Sequence, residues 1–343
     1  MPPEANLKEP DLTNQAIKKT SLCWNCASDA SEPIFIARDF DTALQSFPIR
    51  SCSQCGLVYS ANIGDGVLEA AYSRAYYGSE KAKFVPVVEA IVRFGQRRQA
   101  QSIIKKYRRN AGAKATNELA VLDIGCGRGL LLQAFAQLGA NCLGIERDEF
   151  PGSKPKGVEL HVGSVSDSAL TGRRFDIIVI WHVLEHITDL GQLFDELPKH
   201  LNPGGLLVIS VPNFSSWQSQ LFKRHWFHLD IPRHVTHFEK PWLDEKLSEL
   251  GLVVVDSNTF TATQNVYGFL QSTLNAIFPE KPNRLYHLLT RGRGARERVS
   301  LIGWGVLAAA LMPIAILETI LAELAGRGAT LTSYAIKEKQ RKN

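Results

Sequence analysis

The sequence predicts an α/β protein built on an open, largely parallel sheet, preceded by a small cysteine-held segment. Three observations carry this. In "VLDIGCGRGL" (121–130), an apolar run ending in an acid meets three alternating glycines. Short apolar runs then recur between helix-length segments, and Glu146 closes the second of them, 21 residues after Gly125. Four cysteines fall into two C-x2-C pairs early in the chain.

The 343 residues suffice for one large domain or two, and the apolar (45%) and charged (21%) fractions are those of a globular protein. A net charge of +5 is too small to argue for nucleic acid, and no such partner is expected. Basic residues cluster at 93–114, at Arg291, Arg293, Arg296 and Arg298, and at the last residues. Residues 1–20 read as a flexible tail without the apolar core of a signal peptide, so a cytoplasmic protein with reduced thiols is expected. The cysteines then need a reason other than disulfides.

Cys23, Cys26, Cys52 and Cys55 have the spacing of a four-thiolate zinc site. Two residues between thiols let one tight turn aim both sulfurs at the same ion. Four thiolates leave no open position, so the zinc is expected to be structural. Chance pairs or a redox pair are the alternatives. Residues 21–62 are read as this zinc-knuckle (zinc-ribbon) domain and 63–117 as a helical linker.

Residues 119–124 read as a buried strand and 130–138 as a helix with Leu130, Leu131, Ala134, Phe135 and Leu138 on one face. The glycines occupy the turn beyond the strand's carboxyl end, where α/β sheets bind ligands. The pattern is G-x-G-x-G rather than the dinucleotide G-x-G-x-x-G, and Asp123 precedes it. An acid there repels pyrophosphate and suits a cationic ligand. Glu146, ending the strand 141–145, can accept from two ribose hydroxyls. A third strand spans 158–165, with Asp167 placed to edge an adenine ring. A fourth spans 175–181. The fifth, 205–211, follows the turn Asn202-Pro203-Gly204-Gly205. The plain alternatives are a tight turn for the glycines, a surface acid for Glu146 and a loop cap for Asp167.

The stretches "VLDIGCGRG", "GIERD", "FDIIVIWHVLEHI" and "LNPGGLLVISVPN" together resemble the class I S-adenosylmethionine-dependent methyltransferases over roughly residues 119–213. The likeness is to the subgroup related to ubiquinone-pathway O-methyltransferases and surface-polysaccharide methyltransferases. "CGLVY" after the second cysteine pair and "YSRAYYG" are similar to that subgroup too. The resemblance implies a Rossmann-like seven-stranded sheet of order 3-2-1-4-5-7-6, with core residues 118–261 and 328–337. It implies that Asp123, Gly125 and Gly127 hold the methionine part of S-adenosylmethionine, with Cys126, Gly129 and Arg147 also in the donor site. Glu146 would hold the ribose, Ser164 and Val165 would flank the adenine, and Trp181 and His182 would face the methyl donor.

Methyl transfer from a sulfonium is an in-line displacement that needs a base only if the acceptor must lose a proton. "WHVLEHI" offers His182, Glu185 and His186; a helix starting at Val183 would put Glu185 in its first turn, favoured by the dipole. A structural role competes for His186. In the ubiquinone-pathway relatives an acid-acid-His cluster is associated with a divalent metal; here His182 replaces the first acid. A second cluster, "HWFHLDIPRHVTHF" (225–238), is expected to help close the acceptor pocket, with Pro232 and His234 lining it. A mononuclear metal site is the alternative there.

After a helix over 240–250 and a strand over 252–260, the last strand is expected at 329–336. Between them lies an insertion, 262–327, containing the uncharged run 301–317. Seventeen helical residues span about 25 Å, short of the ~30 Å hydrocarbon core, and Pro313 is expected to kink them. Three readings compete: a membrane span, a core or homodimer helix, and a peripheral or re-entrant element with the arginines at lipid headgroups. The reading adopted is methyl transfer to oxygen of a glycan, a lipid-linked sugar or a quinone-like lipid, at the inner face of the cytoplasmic membrane. Sugar C-methylation and an inactive donor-binding assembly module are the rivals.

Overall fold

The computed structural model describes residues 22–39, 45–72, 86–111, 115–147, 156–167, 170–291 and 295–338. The expected flexible stretch 1–20 and residues 73–78 of the tyrosine-rich motif lie outside them. Three strands open the fold: β1 (Ser31–Arg38), β2 (Ser46–Cys52) and β3 (Val58–Ser60). Helices α1 (Asp65–Ala71) and α2 (Pro86–Ala111) lead to the core strands β4 (Ala120–Ile124), β5 (Asn141–Glu146), β6 (Val158–Val162), β7 (Phe175–Trp181) and β8 (Leu201–Pro212). The two-residue β9 (Thr236–His237), β10 (Leu252–Asn258) and β11 (Thr330–Lys337) complete the strands.

The central sheet has the order β10-β11-β8-β7-β4-β5-β6. Strands β4 to β8 pair in parallel, while β11 runs antiparallel to both β8 and β10. This is the predicted 3-2-1-4-5-7-6 order. Central strands such as "FDIIVIW" are almost continuously apolar because both faces are covered. On one face Val121, Ile177 and Val179 meet Ile103, Ile104 and Tyr107 of α2 and Phe135 of α3 (Leu130–Gln137). Ala100 is buried beside that stripe and Glu89 near the helix start, while Arg93, Arg97, Arg98, Lys105, Arg108 and Arg109 are exposed. On the other face Leu122, Ile178 and Ile180 meet Leu193 and Phe194 of α4 (Leu190–His200) and, beyond the short α5 (Trp217–Phe222), Leu243 and Leu247 of α6 (Lys240–Glu249). Asp189 caps α4, accepting from the Gln192 N–H at 2.9 Å.

Three details differ from the expected pattern. Strand β6 stops at Val162 rather than 165, because Gly163 adopts φ +145° and the Asp167 carboxylate folds the chain back. Strand β8 starts at Leu201, where Leu201 pairs with Phe175 and the register shifts before Ile177, so the Asn202–Gly205 turn lies within the strand's bounds. The cysteine-bearing strands are joined to the core: β3 pairs with β9 across 177 residues, and Trp242 Nε1 on α6 donates to the Cys55 carbonyl at 2.8 Å. Cys23, Cys52 and Tyr59 pack into the same apolar cluster as Ile178 and Leu243.

The insertion is three helices: α7 (Ala262–Ile277), α8 (Arg284–Arg291) and α9 (Ala295–Leu324). Helix α9 is thirty residues long and continues through Pro313, well past the expected end at 317.

Candidate active site

The glycine turn is shaped by close approach. Gly125 has φ +70°, and a Cβ there would lie 2.5 Å from the Val183 side chain, so any other residue would push apart the ends of β4 and β7. Gly129 (φ +65°) is the left-handed N-cap of α3. Glu146 at the end of β5 accepts from Gly127 N–H at 2.7 Å and from Arg147 N–H at 3.1 Å. A carboxylate has about four acceptor positions, so two remain for the hydroxyls of a ribose. Arg147 lies over the ring of Tyr72, 4.8 Å from its centroid. Arg128 on the loop pairs with Glu89 of α2 at 2.9 Å, clamping the linker helix to the turn.

Asp123 is buried at the end of β4, and burial, with the nearby Glu146 charge, pushes its carboxyl up to about 8. A cationic group set beside this pair would return it to the ionised form. The sign for stability follows. A carboxyl raised in the fold favours the native state most below its unfolded pKa near 4, and that contribution is lost as pH rises through about 8. Asp123→Asn is therefore expected to stabilise the ligand-free protein increasingly from pH 5 to pH 9, on the order of a few kcal/mol at the alkaline end. Urea unfolding of both proteins across that range checks it; a pH-independent difference would contradict the burial argument.

The other expected donor contacts sit around this turn. The Cys126 thiol lies against Gly144, where a Cβ would come within 2.6 Å of its sulfur, and burial pushes it up. Val165 is buried and Ser164 exposed in the loop after β6. Asp167 serves as a loop cap: its Oδ2 accepts from the Ser164 N–H at 3.0 Å and contacts His161 Nε2 at 2.8 Å.

Beyond β7 the chain turns sharply. His182 sits in the left-handed region (φ +52°) with its N–H bonded to the Ser210 carbonyl at 2.8 Å. The helix expected from Val183 is a single 3-10 turn, Leu184–His186, so the helix-dipole argument for Glu185 does not hold. Histidines surround Glu185 instead. His182 Nδ1 is 3.4 Å and His234 Nε2 3.9 Å from its Oε1. Burial alone would raise this carboxyl, but His182, His186 and His234 together hold it down to about 2. Neither Glu185 oxygen has a well-aligned hydrogen-bond donor among the described residues, and neither does His182 Nε2 have a partner.

The segment 225–238 closes over this carboxylate, with Val235 N–H donating to the Glu185 carbonyl at 2.8 Å. Arg233 and Asp230 pair at 2.9 Å. His234 Nδ1 is held on the His228 carbonyl at 2.8 Å and His186 Nδ1 on the Arg233 carbonyl at 3.0 Å, and the two rings meet edge to face, centroids 4.6 Å apart. Burial, then the nearby His234, pushes His186 down to about 4. His228 and His237 look elsewhere, to the Gln264 carbonyl on α7 and to Ser60 Oγ on β3. Tyr72, not singled out from the sequence, puts its hydroxyl 2.8 Å from His186 Nδ1; the only signal was its place at the start of the tyrosine-rich motif. Glu185, His186 and His234 each offer a donor atom, all within 4.8 Å of one another. With both Nδ1 atoms tied to carbonyls, this set fits a divalent cation, although its members differ from the acid-acid-His set that the resemblance implies.

The four cysteine sulfurs form a second cluster. Cys23 and Cys55 are 3.6 Å apart, as are Cys26 and Cys52, and all four lie within 4.8 Å of one another.

A family model described as a methyltransferase domain matches residues 95–257. The chain is 36% identical over 126 residues to a ubiquinone biosynthesis O-methyltransferase of Bradyrhizobium sp. (strain ORS 278), covering 34% of this chain and 48% of that protein. It is 29% identical over 168 residues to the enzyme of the same name from Rhodopseudomonas palustris (strain TIE-1), covering 45% and 66%. The chain thus spans less than two thirds of either relative's length. Among solved structures, a SAM-dependent methyltransferase from Archaeoglobus fulgidus aligns over 70% of this chain and 94% of that one, with TM-score 0.41 and 19% identity. From the sheet order, the glycine turn and the matched residues, the chain carries a class I S-adenosylmethionine-dependent methyltransferase domain.

Proposed function

We propose that the chain transfers the methyl group of S-adenosylmethionine to an oxygen of a glycan, a lipid-linked sugar or a quinone-like lipid. The observation that supports this best is the His182–Glu185 pair beside the glycine turn. His182 turns Nδ1 toward a buried carboxylate and leaves Nε2 without a partner, while its neighbour Val183 touches Gly125. The donor, when bound, supplies a methyl group on a sulfonium and departs as a neutral thioether. His182 Nε2 accepts the acceptor hydroxyl's proton as the oxygen–methyl bond forms, and Glu185 balances the imidazolium. Asp123 and Glu146 favour the donor's cationic end and its ribose. A cation held by Glu185, His186 and His234 would polarise the same hydroxyl. The name shared by the relatives, O-methyltransferase, favours oxygen over carbon. Incubation with labelled donor and lipid or glycan extracts is expected to give an O-methylated product. Label on carbon would favour sugar C-methylation, and tight donor binding without any product would favour the binding module.

We further propose that Cys23, Cys26, Cys52 and Cys55 hold one structural zinc. Metal analysis of anaerobically prepared protein is expected to find one zinc per chain, and its absence would refute the assignment. Cys52→Ser is expected to spare donor binding, which uses β4 and β5. It should lower turnover, because β3 carries Ser60, whose Oγ meets His237 at 2.9 Å and donates to the His234 carbonyl at 2.9 Å.

A further inference from the structure

Helix α9 has two unlike sides. A stripe at Ala308, Ala315, Thr319 and Ala322 is buried, and α9 packs against Phe269, Leu270 and Leu274 of α7. Polar ties reinforce this side: Gln218 Nε2 donates to Glu318 Oε2 at 2.8 Å, and Thr259 Oγ1 to Glu323 Oε2 at 2.6 Å. The opposite side is apolar and open to solvent. Val299 is 71% exposed, Ile302 68%, Val306 65%, Leu317 57% and Leu324 80%. Val299–Leu324 is long and apolar enough to cross a bilayer, yet only 11% of its most apolar window is buried, so it is no core helix.

Crossing is barred by the fold. The buried stripe runs along α9 from Ala308 to Ala322, with Ala308, Leu311 and Ala315 packed on α7 and Glu318 and Glu323 tied to Gln218 and Thr259. Directly after it, Trp217 N–H holds the Arg327 carbonyl and Asn213 Nδ2 the Gly328 carbonyl. The chain then enters β11, between β8 and β10. A spanning α9 would have to tear that strand from the middle of an antiparallel pairing. A partner that the exposed side can meet while α9 stays docked is one that conforms to a long convex ridge.

We infer that α9 lies flat on an anionic lipid surface, with its exposed apolar side in the acyl–headgroup boundary. Charge decides for lipid over a second copy. Residues 281–298 carry Lys281, Arg284, Arg291, Arg293, Arg296 and Arg298 against one acid, Glu297, immediately before the apolar run. Two copies meeting through parallel α9 helices would bring these cations together, and antiparallel ones would set them beside Glu318 and Glu323, already held by Gln218 and Thr259; anionic headgroups neutralise them directly. The surface deepens the methyl-transfer reading by restricting the acceptor to a lipid-linked one, and for that restriction alone it rests on that reading.

The test is flotation of the full chain with vesicles of phosphatidylcholine mixed with phosphatidylglycerol. Alongside it runs the variant in which Ile302, Val306 and Leu317 become Asp, positions exposed enough to leave the packing on α7 intact. The expected result is that wild type rises with the vesicles and the variant stays down, while both bind S-adenosylmethionine equally by calorimetry. Equal donor binding shows that the variant is folded and separates this result from any failure of the methyl-transfer reading. Wild type remaining at the bottom of the gradient, as monomer or as dimer by ultracentrifugation, overturns the inference. So does a variant that floats as well as wild type.

Discussion

His182→Asn is expected to lower kcat by about 10²- to 10⁴-fold while leaving S-adenosylmethionine affinity unchanged. Asparagine is chosen because position 182 has φ +52°, which Asn tolerates better than most residues, so the sharp turn after β7 survives. What disappears is the free Nε2 and the imidazole that Glu185 faces from 3.4 Å. Added imidazole is expected to restore part of the rate, because the space left by the ring remains beside a buried negative charge. A purely structural His182 would show itself otherwise: kcat and donor affinity would fall together, and imidazole would rescue nothing.

Glu146→Ala is expected to weaken donor binding about ten- to hundredfold, the equivalent of roughly 1.5–3 kcal/mol for a charge-assisted hydrogen bond. The loss has two sources. The ribose hydroxyls lose their acceptor, and the Gly127 N–H loses its 2.7 Å partner, which slackens the turn. Glu146→Gln, which keeps one acceptor oxygen, should lose less. Calorimetric titration of both variants checks the order; a Glu146→Ala protein that binds the donor as wild type does would remove the ribose assignment.

The geometry of the proposed donor half was legible in the sequence because its residues are close along the chain. Asp123, the glycines and Glu146 belong to one β-α-β unit whose spacing is set by one strand and one helix, and the parallel pairing of β4 with β5 brings them together without help from elsewhere. The acceptor half was legible only in part. The residue types in "WHVLEHI" and "IPRH" marked the histidines, but no local pattern says that His234 closes on Glu185 from 49 residues away, or that Tyr72 reaches His186 across 114. These contacts depend on how the 225–238 segment packs, and a segment of short turns and a two-residue strand has no periodicity to read. The same holds for β9, whose pairing with β3 joins the cysteine cluster to the core. Pro313, expected to kink the helix, lies inside the continuous α9, with Ala308, Leu311 and Ala315 packed against α7 on both sides of it.

The central claim is that the turn between β4 and α3 receives a cationic methyl donor and not a dinucleotide. Direct calorimetric titration of the wild-type chain with S-adenosylmethionine and, separately, with NAD tests it most directly. The account predicts saturable binding of S-adenosylmethionine and none of NAD; binding of NAD without the methyl donor would contradict it.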